Sequence, residues 1–224
     1  MKFLESIGVH AIIVADMGIF SLAKRVAPGL ELHVSTQAST TNWHTVQMWK
    51  ELGATRVVAA REVSLADLKE MKDNVDIEIE SFVHGSMCIS YSGRCLLSNY
   101  MTGNRDANRG QCSQSCRWKY SLVESNRPGE YYPIEEDEHG TYIFNSKDLC
   151  LIHRIPDLYE AGVDSLKIEG RMKSVHYCAT VAKVYRTAID AYLKEGKDWY
   201  VRPEWIAELE KISHRPYTDG FAEG

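Results

Sequence analysis

Four of the six cysteines lie close together, in the stretch MCISYSGRCLLSNYMTGNRDANRGQCSQSCR that spans residues 87–117. They are Cys88, Cys95, Cys112 and Cys116, with the spacing C-x6-C-x16-C-x3-C. Four thiolates can hold a tetrahedral zinc ion or an iron–sulfur cluster, and the lack of a C-x2-C pair argues against a zinc ribbon. Because clusters accept irregular spacing with long loops, the pattern favours a metal or cluster site over unconnected thiols.

A disulfide framework and a nucleophile are the other uses that these cysteines allow. The N-terminus lacks the pattern of a secretory signal, and no apolar run approaches the roughly 18 residues of a membrane span. We therefore predict a cytoplasmic protein with no membrane partner, whose thiols stay reduced. A nucleophile would pair Cys88 with His84. A serine alternative uses Ser86 with His84 and Glu80, although no H-E-x-x-H or G-x-S-x-G motif supports either one.

The charge of the chain is unevenly distributed. The formal net charge is −5, so the overall composition gives no indication of nucleic-acid binding. Residues 94–119 nevertheless carry five basic side chains against a single acidic one, Asp106. The basic residues are Arg94, Arg105, Arg109, Arg117 and Lys119. Since arginine binds phosphates and carboxylates through two parallel hydrogen bonds, this patch suits either kind of anion.

Five short apolar runs predict β-strands, and helix-like stretches separate them. The runs are AIIVAD (11–16), LELHVSTQ (30–37), TRVVAARE (55–62), VDIEIESF (75–82) and VDSLKIEG (163–170). This alternation predicts parallel βα units, with polar residues near the carboxyl ends of the strands. These residues are Asp16, Gln37, Arg61, Glu62, Glu80, His84, Glu169 and Arg171. Because (β/α) barrels build their sites at that end, we predict an α/β, TIM-barrel-like fold with its site there.

The barrel is predicted to be incomplete, because five strands are fewer than the eight of a closed barrel. Residues 1–84 form the first βα units and residues 85–145 form an insertion after the fourth strand. The second half of the insertion alternates like a β-hairpin. Residues 146–224 supply the last βα unit and a C-terminal helix, and the whole forms one domain. An open sheet edge predicts a homo-oligomer or a complementing chain.

Several helix boundaries carry local signals. A helix from Trp43 to Leu52 ends at Gly53, and Ser64 with Asp67 resembles a capping box. A long helix is predicted from Ser174 to near Glu195. Its predicted apolar stripe consists of Val175, Cys178, Ala182, Tyr185, Ile189 and Tyr192, so we interpret Cys178 as a packing residue.

Longer motifs resemble a known family. ESFVHGSMCISYSGRCLLS (80–98) resembles the signature of the collagenase-like peptidase family of unknown catalytic type. Three further stretches are similar to the branch of that family that contains the tRNA uridine 5-hydroxylation proteins. They are NRDANRGQCSQSCRWKY (104–120), EDEHGTYIFNSKDL (136–149) and SLKIEGRMKS (165–174).

The resemblance implies a [4Fe–4S] cluster held by Cys88, Cys95, Cys112 and Cys116, with Cys150 as the alternative fourth ligand. It also implies 5-hydroxylation of the wobble uridine of tRNA, with prephenate as a co-substrate. The family opens with an A-P-A-G strand and two further βα units that have no counterpart here. AIIVAD is similar to the fourth strand of the family, so the chain is expected to supply strands four to eight.

Our sequence-based interpretation is therefore a tRNA-modifying, iron–sulfur-dependent enzyme. Glu80, His84 and Glu169 are its candidate acid–base residues. Its candidate substrate-binding residues are Arg94, Arg105, Arg109, Arg117, Arg171 and Lys173. Zinc is the alternative cofactor. The alternative functions are a metal- or thiol-dependent peptidase and a non-catalytic, cluster-binding partner subunit.

Overall fold

Five parallel strands form the framework of the protein in a computed structural model, which describes residues 1–118, 120–133 and 147–224. Their order in the sheet is β1-β2-β3-β4-β8. The described strands are β1 (Ala11–Val14), β2 (Glu31–Val34), β3 (Arg56–Val58), β4 (Glu78–Ser86), β5 (Ser121–Leu122), β6 (Tyr132–Pro133), β7 (Asp148–Cys150), β8 (Ser165–Glu169) and β9 (Tyr217–Thr218). The described helices are α1 (Lys2–Ser6), α2 (Met17–Val26), α3 (Trp43–Glu51), α4 (Leu65–Asn74), α5 (Leu97–Thr102), α6 (Ile155–Glu160), α7 (Val175–Glu195) and α8 (Pro203–Glu210). The five strands predicted from the sequence are all present.

The two faces of the parallel sheet differ in polarity. One face is apolar and buried, with Val34, Val57 and Ile79 fully covered. Alternate residues on the other face are polar: His33 pairs in register with Arg56, and Arg56 with Glu78. Because successive side chains of a strand point to opposite faces, this alternation leaves the polar face available for a site.

Side-chain caps begin four of the helices. Asp16 accepts a hydrogen bond from the Ile19 N–H at 2.8 Å at the start of α2, and Asn42 and Ser174 act in the same way on α3 and α7. Ser64 and Asp67 form the predicted capping box of α4. The starts of α3, α4 and α7 agree with the sequence prediction because capping depends on residues only three positions apart, whereas the sequence analysis did not assign the start of α2.

The buried stripe of α7 differs from the predicted one. Val175 is 87% exposed and Ala182 is also exposed, so both were wrongly assigned to the stripe. The buried residues are Tyr177, Val181, Val184, Tyr185, Ala188 and Ala191. Cys178 is half-buried against the core, and its Sγ lies 3.5 Å from the Gly170 carbonyl oxygen. Helical periodicity fits several neighbouring stripes, and only the packed sheet selects one of them.

Two strands that the sequence did not predict extend the sheet. β7 pairs antiparallel with the second half of β4, at His84, Gly85 and Ser86, and β9 pairs with β7. The chain between β4 and β7 therefore begins and ends beside one strand. Within it, β5 and β6 form an antiparallel pair. Lys119 and residues 134–146, including the acidic run EEDEH, lie outside the described residues.

The described strands form an open sheet. Among the residues that the structure describes, β1 pairs only with β2 and β8 pairs only with β4. The fold is therefore α/β with a mainly parallel sheet. No helix in the described part of the chain is long and apolar enough to span a membrane.

Candidate functional site

A cavity of about 400 Å³ opens on the polar face of the sheet, where β2, β3, β4 and β8 end. The four clustered cysteines all line it: Cys88, Cys95, Cys112 and Cys116. It is also lined by the charged residues Arg61, Arg117, Lys167, Glu169 and Arg171. Its size lies in the range of about 300–1,000 Å³ that is usual for small-molecule sites. The four clustered cysteines and these charged residues therefore share one cavity at the carboxyl end of the strands.

Ser92 anchors the first part of residues 88–118, the cysteine-rich segment. Its backbone N–H donates to Glu62 Oε1 at 2.6 Å, and its Oγ accepts from the Arg61 N–H at 3.2 Å. Both partners follow β3, and Thr36, which follows β2, lies 3.4 Å away through its Oγ1. The segment is thus attached to the ends of two neighbouring strands.

Two glycines allow the cysteine-rich segment to lie directly against the sheet. Gly93 has φ +74°, and a Cβ there would lie 2.1 Å from the carbonyl oxygen of Gln37. A Cβ on Gly110 would lie 2.0 Å from the Arg171 guanidinium carbon. A larger residue at Gly93 would push the segment away from the Gln37 backbone, whereas a larger residue at Gly110 would displace the Arg171 side chain.

The loop that carries Cys112 is held by hydrogen bonds from within the segment. The exposed Arg105 side chain donates to the carbonyl oxygens of Gln111 at 3.1 Å and Cys112 at 3.3 Å. The Ser113 N–H donates to Ser98 Oγ at 2.9 Å. Arg105, predicted to bind substrate, therefore also supports a cysteine of the cavity.

Asp148 is a completely buried carboxylate that the sequence analysis did not single out. It accepts from Arg117 Nη1 at 2.5 Å, Lys173 Nζ at 3.4 Å and the Arg215 N–H at 3.3 Å. Burial raises the pKa of Asp148, but Arg117 and the other partners outweigh burial and leave this pKa below its ordinary value. Arg117 and Lys173, both predicted to bind substrate, are therefore bound to an internal anion. Asp148 lies within the quoted family motif, but neither periodicity nor spacing marks it.

The other predicted substrate-binding arginines remain accessible. Arg94 is exposed, and Arg109 is exposed beside Asp106, with 3.7 Å between Arg109 Nε and Asp106 Oδ2. Arg171 is exposed and also lines the cavity. Together with Arg105 they supply positive charge on and beside the cavity rim.

Glu169 is the one predicted acid–base residue that lines the cavity. Its Oε2 lies 3.7 Å from Arg61 Nη2, and its Oε1 accepts from the Arg171 N–H at 3.0 Å. The Arg61 guanidinium carbon lies 3.8 Å from the centre of the Phe82 ring. Glu169 and Phe82 thus fix a cation in the cavity wall.

Glu80 is buried in an ion-pair network beneath the cavity. It binds Arg56 at 3.1 Å, Ser165 at 2.9 Å and Lys167 at 2.5 Å. Burial alone would raise the pKa of Glu80. The hydrogen bonds and charge from Lys167, Ser165 and Arg56 outweigh burial, so this pKa lies below its ordinary value. An ionised carboxylate that is bound in this way is poorly suited to accept or deliver protons. The sequence missed Lys167, although Ser165, Lys167 and Glu169 alternate as polar residues along β8.

His84 lies on the opposite face of β4 from the cavity. The register with β8 shifts between Phe82 and His84, so His84 pairs with Ile168 instead of continuing the row of Glu80 and Phe82. The ring is fully buried, with Nδ1 3.4 Å from Tyr185 Oη. Burial lowers the pKa of His84 to about 4, which leaves the imidazole neutral near pH 7.

The predicted nucleophile arrangements are not assembled. Within the described residues, no hydrogen bond joins His84 to Ser86 or Cys88. Solvent reaches Cys88 through the cavity, yet the surrounding protein desolvates its thiol and raises the pKa. The nearby thiols raise this pKa further, whereas Arg61 lowers it. Since a nucleophilic cysteine needs a low pKa and an adjacent base, the geometry does not favour a thiol peptidase.

Cys116 lines the cavity and Cys150 does not. Cys150 is buried in β7, with its Sγ 4.0 Å from Tyr185 Oη. No group of three or more His, Cys, Asp or Glu side chains in the described ranges is arranged to hold a metal ion. A single zinc needs sulfurs within about 4 Å of one another, whereas a cluster spreads its ligands over several irons. Four thiols around one cavity are a donor set that fits an iron–sulfur cluster or a zinc ion.

These features define a class: an α/β protein with a cysteine-lined, cation-rich cavity at the carboxyl end of a mainly parallel sheet. The chain belongs to the family described as Peptidase family U32, which matches residues 1–224. The family resemblance inferred from the motifs is therefore confirmed.

Several curated relatives carry names from RNA modification. The chain is 51% identical over its whole length to tRNA hydroxylation protein P1 of Bacillus subtilis and covers 53% of that protein. It is 41% identical to tRNA hydroxylation protein P of Escherichia coli, with 99% of this chain and 57% of that protein covered. It is 37% identical to the 23S rRNA 5-hydroxycytidine C2501 synthase of Escherichia coli, with 97% and 33% covered. The chain thus spans about half the length of the first two relatives.

A solved structure described as the U32 peptidase Mk0906 has a TM-score of 0.41 to this chain at 13% identity. The match covers 75% of this chain and 57% of that one.

Proposed function

We propose that the chain is part of an RNA-modifying enzyme that hydroxylates C5 of the wobble uridine in tRNA. The observation that carries the proposal is the convergence of four cysteines and several cations on one cavity. This cavity lies in a chain 51% identical to a tRNA hydroxylation protein. The names of two tRNA hydroxylation proteins and of an rRNA hydroxycytidine synthase support an RNA substrate.

Cys88, Cys95, Cys112 and Cys116 would hold a [4Fe–4S] cluster in this proposal. Such a cluster supplies one-electron redox chemistry when it is bound. The donor type and the shared cavity support this ligand set, and Cys150 is disfavoured by its position in the core.

The cations of the cavity wall would bind an anionic group of the substrate or co-substrate. Arg171 is exposed, and Arg61 is held against Phe82 and beside Glu169, so both are available in the cavity. A dicarboxylate such as prephenate fits this charge. Glu169 would orient Arg61 and thereby the bound anion.

The parallel sheet would form one part of a TIM-like barrel. Among the described strands, β1 pairs on one edge only, whereas barrel strands are normally paired on both edges. The exposed Ile13 side chain on β1 and the charged polar face also support this arrangement. Further βα units, from a longer chain or a complementing one, would then cover that face.

The test replaces the matching region of the Bacillus subtilis relative by this chain. The chimera and the isolated chain are expressed in cells whose tRNA lacks 5-hydroxyuridine, and tRNA nucleosides are measured by mass spectrometry. We expect 5-hydroxyuridine with the chimera, and its loss when Cys112 is replaced by serine. A folded, cluster-loaded chimera that produces none would overturn the proposal and favour the non-catalytic partner. Cleavage of denatured collagen that survives iron removal would favour the peptidase.

RNA binding has a separate test in its salt dependence. Each phosphate contact adds about 0.7–0.9 to the slope of log affinity against log salt. Arg109→Ala should therefore reduce the slope by about one, whereas Arg127→Ala, an exposed arginine outside the cysteine-rich segment, should leave it unchanged. Binding that does not depend on salt would contradict phosphate recognition.

A further inference from the structure

The Tyr91 side chain stands out at the mouth of the cavity. It lines the cavity between Cys88 and Cys95, yet it is 71% exposed. Within the described part of the chain, its ring has no hydrogen bond and no aromatic or cationic contact. Burying a tyrosine ring is favourable, so a free ring at a cavity entrance is suited to bind a ligand.

The backbone around Tyr91 is fixed although its ring is free. The next residue, Ser92, is buried and held by Glu62 and by the Arg61 N–H. The Tyr91 carbonyl oxygen accepts from the Arg94 N–H at 3.0 Å, which closes a tight turn. This turn places the exposed Arg94 three residues after Tyr91. A ligand would therefore meet a pre-positioned aromatic surface with a cation nearby, at little cost in backbone entropy.

We propose that Tyr91 is the stacking surface for an unpaired RNA base at the entrance of the cysteine-lined cavity. This inference rests on the proposed function and identifies how the same site would hold its substrate. Enzymes that modify a base bring it out of its stack, and aromatic side chains then hold it through their faces. Arg94 and Arg109 supply charge for the flanking phosphates, and the cavity beyond Tyr91 has room for a base.

The choice of RNA over a peptide rests on charge and shape. Exposed arginines and exposed aromatic residues alternate along the cysteine-rich segment, where Tyr100 and Trp118 are also exposed. Stacking surfaces interleaved with cations are typical of single-stranded nucleic-acid sites. An acidic peptide would use the arginines but would leave the flat ring face without a matching group.

The experiment uses the chimera with the Bacillus subtilis relative as the wild type and measures its binding to an anticodon stem-loop RNA with 2-aminopurine at the wobble position. Loss of one base–aromatic stack weakens binding by about five- to 150-fold. We expect that loss in Tyr91→Ala and in Tyr91→Leu, which keeps apolar volume but has no ring. Tyr91→Phe and Tyr91→Trp should bind like the wild type and quench the 2-aminopurine fluorescence. The matched control is Tyr200→Ala, since Tyr200 is 62% exposed and does not line the cavity.

Salt dependence separates stacking from charge. Tyr91→Leu should weaken binding equally at low and high salt, whereas Arg94→Ala should lower the salt slope. If wild type binds RNA and Tyr91→Leu binds equally well, Tyr91 has no stacking role but the proposed function stands. If the wild type does not bind RNA, both are overturned. A Tyr91-dependent preference for an unstructured peptide over RNA would assign the ring to a protein partner and also overturn the inference.

Discussion

At the scale of single residues, the cavity depends on charges that are neutralised inside the protein. Asp148 binds the side chains of Arg117 and Lys173 and joins the cysteine-rich segment to the residues that follow β8. Glu80 performs a similar role for Arg56 and Lys167 below the cavity. Removing one partner of a buried pair costs more than the pair contributes, because an uncompensated charge stays behind.

Asp148→Asn should therefore be strongly destabilising. The change leaves two half-buried cations without their buried anion, and we expect a loss of about 3 kcal/mol in the free energy of unfolding. Urea denaturation measures this loss. Asp73→Asn, which removes a solvent-exposed ion pair with Lys69, should cost less than about 1 kcal/mol. Equal stability of the two variants would show that Asp148 is not the centre of the cluster.

His84 predicts a dependence of stability on pH. Its pKa falls from an ordinary value of 6.5 to about 4, so the unfolded chain takes up a proton before the folded protein does. The stabilisation is complete above the ordinary pKa and is lost as the pH falls from about 6.5 to about 4, by roughly 3 kcal/mol in total.

Urea denaturation between pH 7 and pH 4.5 tests this dependence in the wild type and in His84→Phe. The variant should show a flatter profile, because phenylalanine fills the site without taking up a proton in the unfolded chain. The carboxylates with lowered pKa, Asp148 and Glu80, act mainly below this window. A profile unchanged by the substitution would contradict the assignment to His84.

The cysteines predict a pattern of cluster retention. Anaerobically purified protein should be brown and contain about four irons per chain. Serine at Cys88, Cys95, Cys112 or Cys116 should remove the cluster, whereas Cys178→Ser and Cys150→Ser should keep it. Iron and acid-labile sulfide analysis decides the result. Stoichiometric zinc without sulfide, or loss of the cluster in Cys150→Ser, would refute this ligand set.

At the scale of elements, the cysteine-rich segment is positioned by close contact with the strand ends. Gly93 and Gly103 have similar φ angles, +74° and +79°, but a Cβ would meet another part of the chain only at Gly93. Comparing an alanine substitution at Gly93 with one at Gly103 therefore separates the cost of close approach from the cost of the left-handed conformation.

Gly93→Ala should move the segment away from Gln37, because the new Cβ would lie 2.1 Å from a backbone oxygen. We expect faster proteolysis within residues 88–118 and reduced iron incorporation. Gly103→Ala should cost only about 1–2 kcal/mol, from its left-handed conformation, and leave both properties unchanged. Equal behaviour of the two variants would indicate that the Gly93 contact does not position the segment.

At the scale of the whole molecule, the open sheet exposes apolar surface near β1. Phe3, Ile7 and Met17 are more than half exposed, as is Ile13 on the strand itself. An exposed edge strand with apolar neighbours favours association. We therefore expect the isolated 224-residue chain to self-associate at micromolar concentration. Phe3→Glu with Met17→Glu should shift it toward monomer in sedimentation velocity, and a wild-type chain that is already a monodisperse monomer would contradict this expectation.

Local sequence signals determined the five parallel strands, several helix starts and the location of the cysteines after β4. Capping by Ser64 or Ser174 depends on residues three positions away, and strand periodicity is equally local. The family motifs identified the class of protein for the same reason, since they are contiguous stretches of chain.

Only the tertiary structure decided which functional candidates share the cavity. A register shift between β4 and β8 turned His84 to the opposite face. The unpredicted strand β7 placed Cys150 in the core and Asp148 beside Arg117 and Lys173. These outcomes depend on pairings between residues that are distant in sequence. Neither spacing nor periodicity encodes them, because each strand can satisfy its local pattern with more than one register and neighbour.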